Sequence, residues 1–137
     1  MFNLIYKYSR RSKIINKILK FIYKCEIPVN TNIGENVTFN HNGLGVVIHP
    51  NSIIKDNVYI EHHVCLGQRT GDDARAPIIN KNVVIGAYAI ILGNVEIGEH
   101  SVIGAGSLVL HDIPPYSIYY NNRTEIIKCN NKPIGKY

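Results

Sequence analysis

Six histidines and three cysteines give this chain of 137 residues most of its capacity for chemistry. Cys25, Cys65 and Cys129 are an odd set without the spacing of a metal site or a disulfide framework, so they read as reduced thiols of a cytosolic protein. His41 differs from its fellows in its setting: Asn40-His41-Asn42-Gly43-Leu44-Gly45 has the composition of a protruding turn. An imidazole presented there could take the proton of a hydroxyl near neutral pH. His62 and His63 are adjacent, and on a strand they would face opposite sides. That arrangement argues against a shared metal ion, and no metal is expected. A second polar excursion, Gly67 to Pro77, carries Gln68, Asp72, Asp73 and Arg75. Such loops on a rigid scaffold are where function concentrates.

The scaffold is written in a period of six. Ile48, Ile54, Ile60 and Leu66 keep one register, and Ile79, Ile85, Ile91, Ile97, Ile103 and Val109 resume it after the excursion. Ser52, Val58, Val64, Val83, Ala89, Val95, Ser101, Ser107 and Ile113 form a second register four residues on. Six matches neither the helical period of 3.6 nor the strand period of two. It predicts a short strand and a turn, reused as the unit of a solenoid. Ile27, Ile33 and Phe39 extend the pattern toward the N-terminus, with three extra residues inserted between Phe39 and Ile48.

Charge separates a first segment from the rest. Residues 1–25 hold Lys7, Arg10, Arg11, Lys13, Lys17, Lys20 and Lys24 and no acid, whereas the remainder carries 8 basic and 10 acidic side chains. Ile14, Ile15, Ile18, Leu19 and Ile22 recur there at helical spacing behind Ser9 or Ser12 as N-cap. A basic amphipathic helix over 1–25 can cover the open end of the solenoid or lie on an anionic membrane. Nucleic acid is not expected as a partner, because no basic stripe or set of stacking aromatics extends the footprint. Apolar runs broken by lysine and arginine give no signal peptide or spanning helix, which predicts a cytoplasmic protein, with peripheral contact at the inner face of the membrane as the further option.

The repeats, read with Phe39-Asn40-His41-Asn42-Gly43-Leu44-Gly45-Val46-Val47, the loop ending Ala74-Arg75-Ala76-Pro77, the run Ile85 to Val109 and Asp112-Ile113-Pro114-Pro115, resemble the hexapeptide-repeat acyltransferases. The branch resembled is serine O-acetyltransferase and its relatives that acetylate sugars. The resemblance implies an all-β fold, a left-handed parallel β-helix over 26–118, with the N-terminal helix before it, an extruded loop at 67–77 and a C-terminal tail over 119–137; Pro114-Pro115 is expected to end the solenoid, because proline cannot continue the ladder. Counting three faces per coil, Phe39, Ile60, Ile85 and Ile103 share one face. His41, His62, Ala87 and Ala105, two residues on from each, then line one edge.

The resemblance further implies acetyl-CoA as co-substrate and His41 as the general base, with Glu26 in the place of the carboxylate that orients it. Ala87 and Ala105 would line the groove for the pantetheine arm, a backbone amide or the Gly67 region would meet the thioester oxyanion, and Arg123 or Lys128 the phosphates. Asn40, Gln68, Arg75 and His62 would meet the acceptor. The chain departs from serine acetyltransferases at Asn40, where the family has aspartate, and at Ala76, where it has histidine. Those departures, and the absence of a long helical segment ahead of the repeats, direct the expectation toward a sugar hydroxyl of a surface polysaccharide or its precursor. Serine acetylation, a non-catalytic binding solenoid and a histidine-held metal centre that hydrates carbon dioxide are the alternatives. A homotrimer, with sites between chains, is expected.

Overall fold

The computed structural model describes residues 12–71, 75–120 and 123–125. Helix α1 (Lys13–Tyr23) opens on Ser12, whose hydroxyl accepts the Ile15 amide at 3.4 Å, and closes at Lys24 with φ 51°. Strands of two or three residues follow: β1 (Asn32–Ile33), β2 (Thr38–Phe39), β3 (Val47–Ile48), β4 (Ile53–Ile54), β5 (Tyr59–Ile60), β6 (Cys65–Gly67) and β7 (Ile78–Ile79). Then come β8 (Val84–Ile85), β9 (Ile90–Leu92), β10 (Glu96–Ile97), β11 (Val102–Ile103), β12 (Leu108–Val109), β13 (Ile118–Tyr120) and β14 (Arg123–Glu125).

Every third strand stacks on the same face. The faces are β1-β4-β7-β10, β3-β6-β9-β12 and β2-β5-β8-β11-β13, all parallel. The molecule is therefore a parallel β-helix of about four coils. Its cause lies in the period of six: all ten apolar residues of the first register, from Ile48 to Val109, are at most 1% exposed. The second register is buried as well, so each unit points two side chains inward. Each isoleucine or leucine so placed contributes about 1.5–3 kcal/mol of apolar burial. Serine suffices at Ser52, Ser101, Ser107 and Ser117 in the second register or its continuation, where the coil is narrow.

Both interruptions loop out without disturbing the count. Phe39 pairs with Ile60, Ile60 with Ile85 and Ile85 with Ile103, as the spacing predicts. Ile54 pairs with Ile79 across the longer excursion.

The helix covers the first coil through little of its apolar face. Leu19 is buried at 6% exposure and Tyr23 packs beside it, but Ile14, Ile18, Phe21 and Ile22 are more than half exposed. The Asn16 side chain donates to the Ile27 carbonyl at 3.3 Å and ties the helix to the coil. No helix among the described residues is long and apolar enough to cross a membrane. Lys7, Arg10, Arg11 and Ser9 lie outside the described residues.

The C-terminal end departs from expectation. Pro114 and Pro115 do not end the solenoid; they form a corner, where a missing amide donor costs nothing, and the chain returns as β13 beside β11. The Pro114 carbonyl accepts the Ser101 hydroxyl at 2.9 Å, and the Ser117 carbonyl accepts the Val102 amide at 2.9 Å. β14 then pairs antiparallel with β13, so residues 119–120 and 123–125 belong to the sheet rather than to a tail. Tyr119 is buried and its hydroxyl donates to the Leu108 carbonyl at 2.7 Å, which makes it a core residue and not a stacking platform for a ligand.

Adjacent coils approach so closely at one corner that only glycine fits. A Cβ on Gly86 would lie 2.5 Å from the Ala105 nitrogen and 2.9 Å from the Ile103 oxygen, both backbone atoms. Gly86→Ala is therefore expected to lower stability by about 1–3 kcal/mol, the range for overpacking a rigid contact. Equilibrium denaturant unfolding checks this; an unchanged midpoint would show that the coils can part at this corner.

Candidate active site

The inserted residues after β2 make the chain turn sharply outward. His41 and Asn42 both adopt left-handed backbone conformations, with φ of 48° and 57°, a region that asparagine tolerates and most side chains avoid. The turn closes with the Leu44 amide donating to the His41 carbonyl at 3.2 Å. His41 is thus held out from the solenoid, and its side chain is 64% exposed.

The register that joins β2 to β5 decides what lies beside it. Since Phe39 pairs with Ile60, Asn40 is level with Glu61 and His41 with His62. The Asn40 amide donates to Glu61 Oε1 at 2.6 Å. Glu61 Oε2 then stands 3.8 Å from His41 Nε2 and 3.6 Å from His62 Nδ1. The two imidazoles meet edge to face with ring centroids 4.8 Å apart. A carboxylate is thereby fixed between two imidazoles.

A second layer supports this cluster. The Tyr88 ring lies edge-on to His62 at 5.3 Å and stacks on His63 at 4.6 Å. His62 and His63 do not face opposite sides of a strand, because they lie in the turn after β5, where His63 has φ 56°. The His63 ring packs so tightly over Gly45 that a Cβ there would come within 2.5 Å of it. The Leu44 carbonyl also accepts the His63 amide at 2.8 Å, so the His41 turn is braced from both sides.

The edge continues in small residues. Tyr88 donates its amide to the His62 carbonyl at 3.1 Å and Gly106 donates to the Ala87 carbonyl at 2.8 Å, which stacks His62, Ala87 and Ala105 in consecutive coils. Ala87 is half-buried and Ala105 exposed, leaving a strip free of bulky side chains beyond His62. The expected line of two histidines and two alanines is therefore real.

Glu26 is placed differently from its expected role. Its carboxylate accepts the Lys20 ammonium at 2.7 Å, and its backbone bridges to Val47, on the face of β3 rather than that of β2. The carboxylate beside His41 is Glu61, which the sequence reading missed. One further step along the same alignment, from Phe39 and Ile60 to Asn40 and Glu61, would have found it. Gly67 ends β6 against Leu92, and a Cβ on it would meet that side chain at 2.8 Å. Gln68 and Arg75 are exposed at the two ends of the loop, and Ala76 is buried. Arg123 lies in β14, and Lys128 falls outside the described residues.

Electrostatics away from the cluster are set by burial. Desolvation raises the Cys25 and Cys65 thiols above their ordinary value, more than a backbone hydrogen bond and Lys20 lower Cys25. An open cavity of about 420 Å³ lies among Asn80, Glu96, Glu99, Asp112 and Pro115. Its acidic wall suits no anionic ligand.

The coil geometry and the cluster together define a parallel β-helix of the hexapeptide type. Residues 76–111 match the family described as bacterial transferase hexapeptide (six repeats). The chain is 39% identical over 120 residues to a serine acetyltransferase of Buchnera aphidicola subsp. Schizaphis graminum, covering 85% of this chain and 45% of that protein. It is 38% identical over 127 residues to a serine acetyltransferase of Staphylococcus xylosus, covering 91% of this chain and 58% of the relative. Among solved structures, soybean serine acetyltransferase complexed with serine superposes with a TM-score of 0.76 at 33% identity, over 92% of this chain and 54% of that one. The chain thus spans roughly half the length of these relatives.

Because a raised thiol pKa leaves less thiolate at a given pH, Cys25 and Cys65 should react sluggishly with an aromatic disulfide reagent near neutrality and faster as pH climbs toward 9. The measurement is made on a Cys129→Ser protein, so that only these two thiols remain. Rapid labelling at pH 7 would show that the coil ends open.

Proposed function

We propose that the chain transfers an acetyl group from acetyl-CoA to an acceptor hydroxyl, with His41 as the base. What carries this reading is the presentation of His41 at the head of the small-residue edge with a carboxylate fixed beside it. As the hydroxyl oxygen bonds to the thioester carbon, the imidazole takes its proton; the carbon–sulfur bond then breaks, and the imidazolium returns the proton to the departing thiolate. Glu61 steadies the cation during that interval, as carboxylates do beside other histidine bases. The strip of Ala87 and Ala105 would admit the narrow arm of the co-substrate, with Gly67 near its path and Arg123 or Lys128 available to its phosphates.

The relatives bear on the acceptor. They are serine acetyltransferases, and they favour the hydroxyl of a small amino acid over the sugar hydroxyl that the sequence departures suggested. Serine is accordingly the first acceptor of this proposal. A sugar hydroxyl is the second reading, supported by Asn40, which is neutral and occupied with Glu61, and by Ala76, which offers no polar group. The open side of His41 is consistent with a homotrimer whose neighbouring chain completes each site.

The reading is tested by following CoA release from acetyl-CoA against serine, threonine and a panel of activated sugars. The expected order is serine first, and a faster sugar would transfer the proposal to its second form. His41→Ala should lower kcat/KM about 10²–10⁴-fold, the usual worth of a general base. Glu61→Gln should lower kcat more than Glu26→Gln does. Undiminished turnover in His41→Ala would remove the proposed base.

A further inference from the structure

The spacing inside the His41 cluster is unusual for hydrogen bonding. At 3.6 and 3.8 Å, the two nitrogen–oxygen separations at Glu61 Oε2 exceed the 2.7–3.2 Å of a hydrogen bond. Glu61 Oε1, by contrast, is held at 2.6 Å by Asn40. His62 Nδ1 is buried, has no hydrogen-bond partner, and faces Glu61. A buried ring nitrogen without a partner carries the full cost of its lost hydration, so its lone pair or proton wants something in the gap.

A metal ion has the dimensions of that gap. Zinc binds imidazole nitrogen and carboxylate oxygen at about 2.0–2.2 Å, so two ligands of a tetrahedral ion stand about 3.4 Å apart. One donor atom from each of His41, Glu61 and His62 can be chosen so that all lie within 4.8 Å of one another. Contraction by a few tenths of an ångström at each Glu61 contact, with the exposed His41 ring swinging toward His62 so that donor atoms up to 4.8 Å apart close to about 3.4 Å, would complete the set. The supports that metal ligands need are also present: Asn40 fixes the carboxylate, and Tyr88 packs against the His62 ring. Three protein ligands leave a fourth position to solvent, on the exposed side of His41.

We infer that His41, Glu61 and His62 form a binding site for a divalent transition-metal ion of the zinc class, and that its occupation shuts off His41 as a base. An imidazole nitrogen whose lone pair is donated to a metal cannot accept a hydroxyl proton. Metal and acceptor thus exclude each other at one nitrogen, and a rise in free zinc would silence the chain. The second half of this inference rests on the acetyl-transfer reading; the first half does not.

The test uses full-length, tag-free protein stripped of metal by a chelator. Zinc is titrated in competition with a colorimetric indicator, and CoA release is measured at each zinc level. The expected result is one zinc ion per chain, with affinity reduced about 100-fold or more by Glu61→Gln or His62→Ala. Asn40→Ala, which frees the carboxylate, should cost about 10–100-fold. His100→Ala, whose ring stacks on Tyr116 away from the cluster, should leave zinc affinity unchanged. Circular dichroism confirms that each variant is folded. Absence of stoichiometric binding, or binding indifferent to Glu61→Gln and His62→Ala, overturns the site. Binding of the expected kind with acetyl transfer undiminished, where chelator should restore a lost rate, overturns the exclusion. A protein that binds zinc as expected but acetylates no acceptor would sink the transferase reading and leave the metal site standing.

Discussion

Parallel coils stacked in register are the constraint on which everything else in this molecule depends. Each strand of two or three residues is far too short to be stable alone, and it persists because its backbone pairs with the coils before and after it. The inward isoleucines and their small companions fill the triangular interior without leaving a choice of register. Displacing one unit by a single residue would turn buried side chains outward along every later coil. The fold is therefore rigid in the way a site needs: neighbouring corners lie at the separation of paired strands, and side chains on those corners meet predictably.

The His41 cluster uses that rigidity. Asn40 and Glu61, and His41 and His62, come from segments 21 residues apart in sequence, yet they are level because Phe39 and Ile60 are paired beneath them. The left-handed conformation at His41 would be costly in a free loop. Here Gly45 under the His63 ring and the bond from the His63 amide to Leu44 hold the turn in place. One carboxylate between two imidazoles can steady a histidine base or ligate a metal. The two uses compete for the same nitrogen of His41.

Much of this was legible before any coordinates. The register of six gave the coil, because burial on a repeating scaffold leaves a strict periodic trace, and with the three-sided coil that the resemblance implies it gave the shared face of Phe39, Ile60, Ile85 and Ile103 and the edge of His41, His62, Ala87 and Ala105. Glu61 escaped because its position carries no periodic signal: it lies one place before a histidine already on the list. Glu26 attracted attention through the resemblance alone, and the short reach from α1 lets Lys20 claim its carboxylate instead. The proline pair reads as a stop because proline breaks ladders, but at a corner there is no ladder to break. The acceptor was the least legible part, since Asn40 and Ala76 show what is missing and do not show what binds.

The antiparallel strand β14 has a consequence for assembly. A stack of parallel coils has no natural end, and a bare last rung would offer its row of amides and carbonyls to any similar molecule. By reversing direction against β13, β14 interrupts the polarity that another coil would have to continue, while Leu19 plugs the opposite mouth. The molecule is in this sense a bounded length cut from a potentially endless fibre, stopped at one end by a single short antiparallel strand.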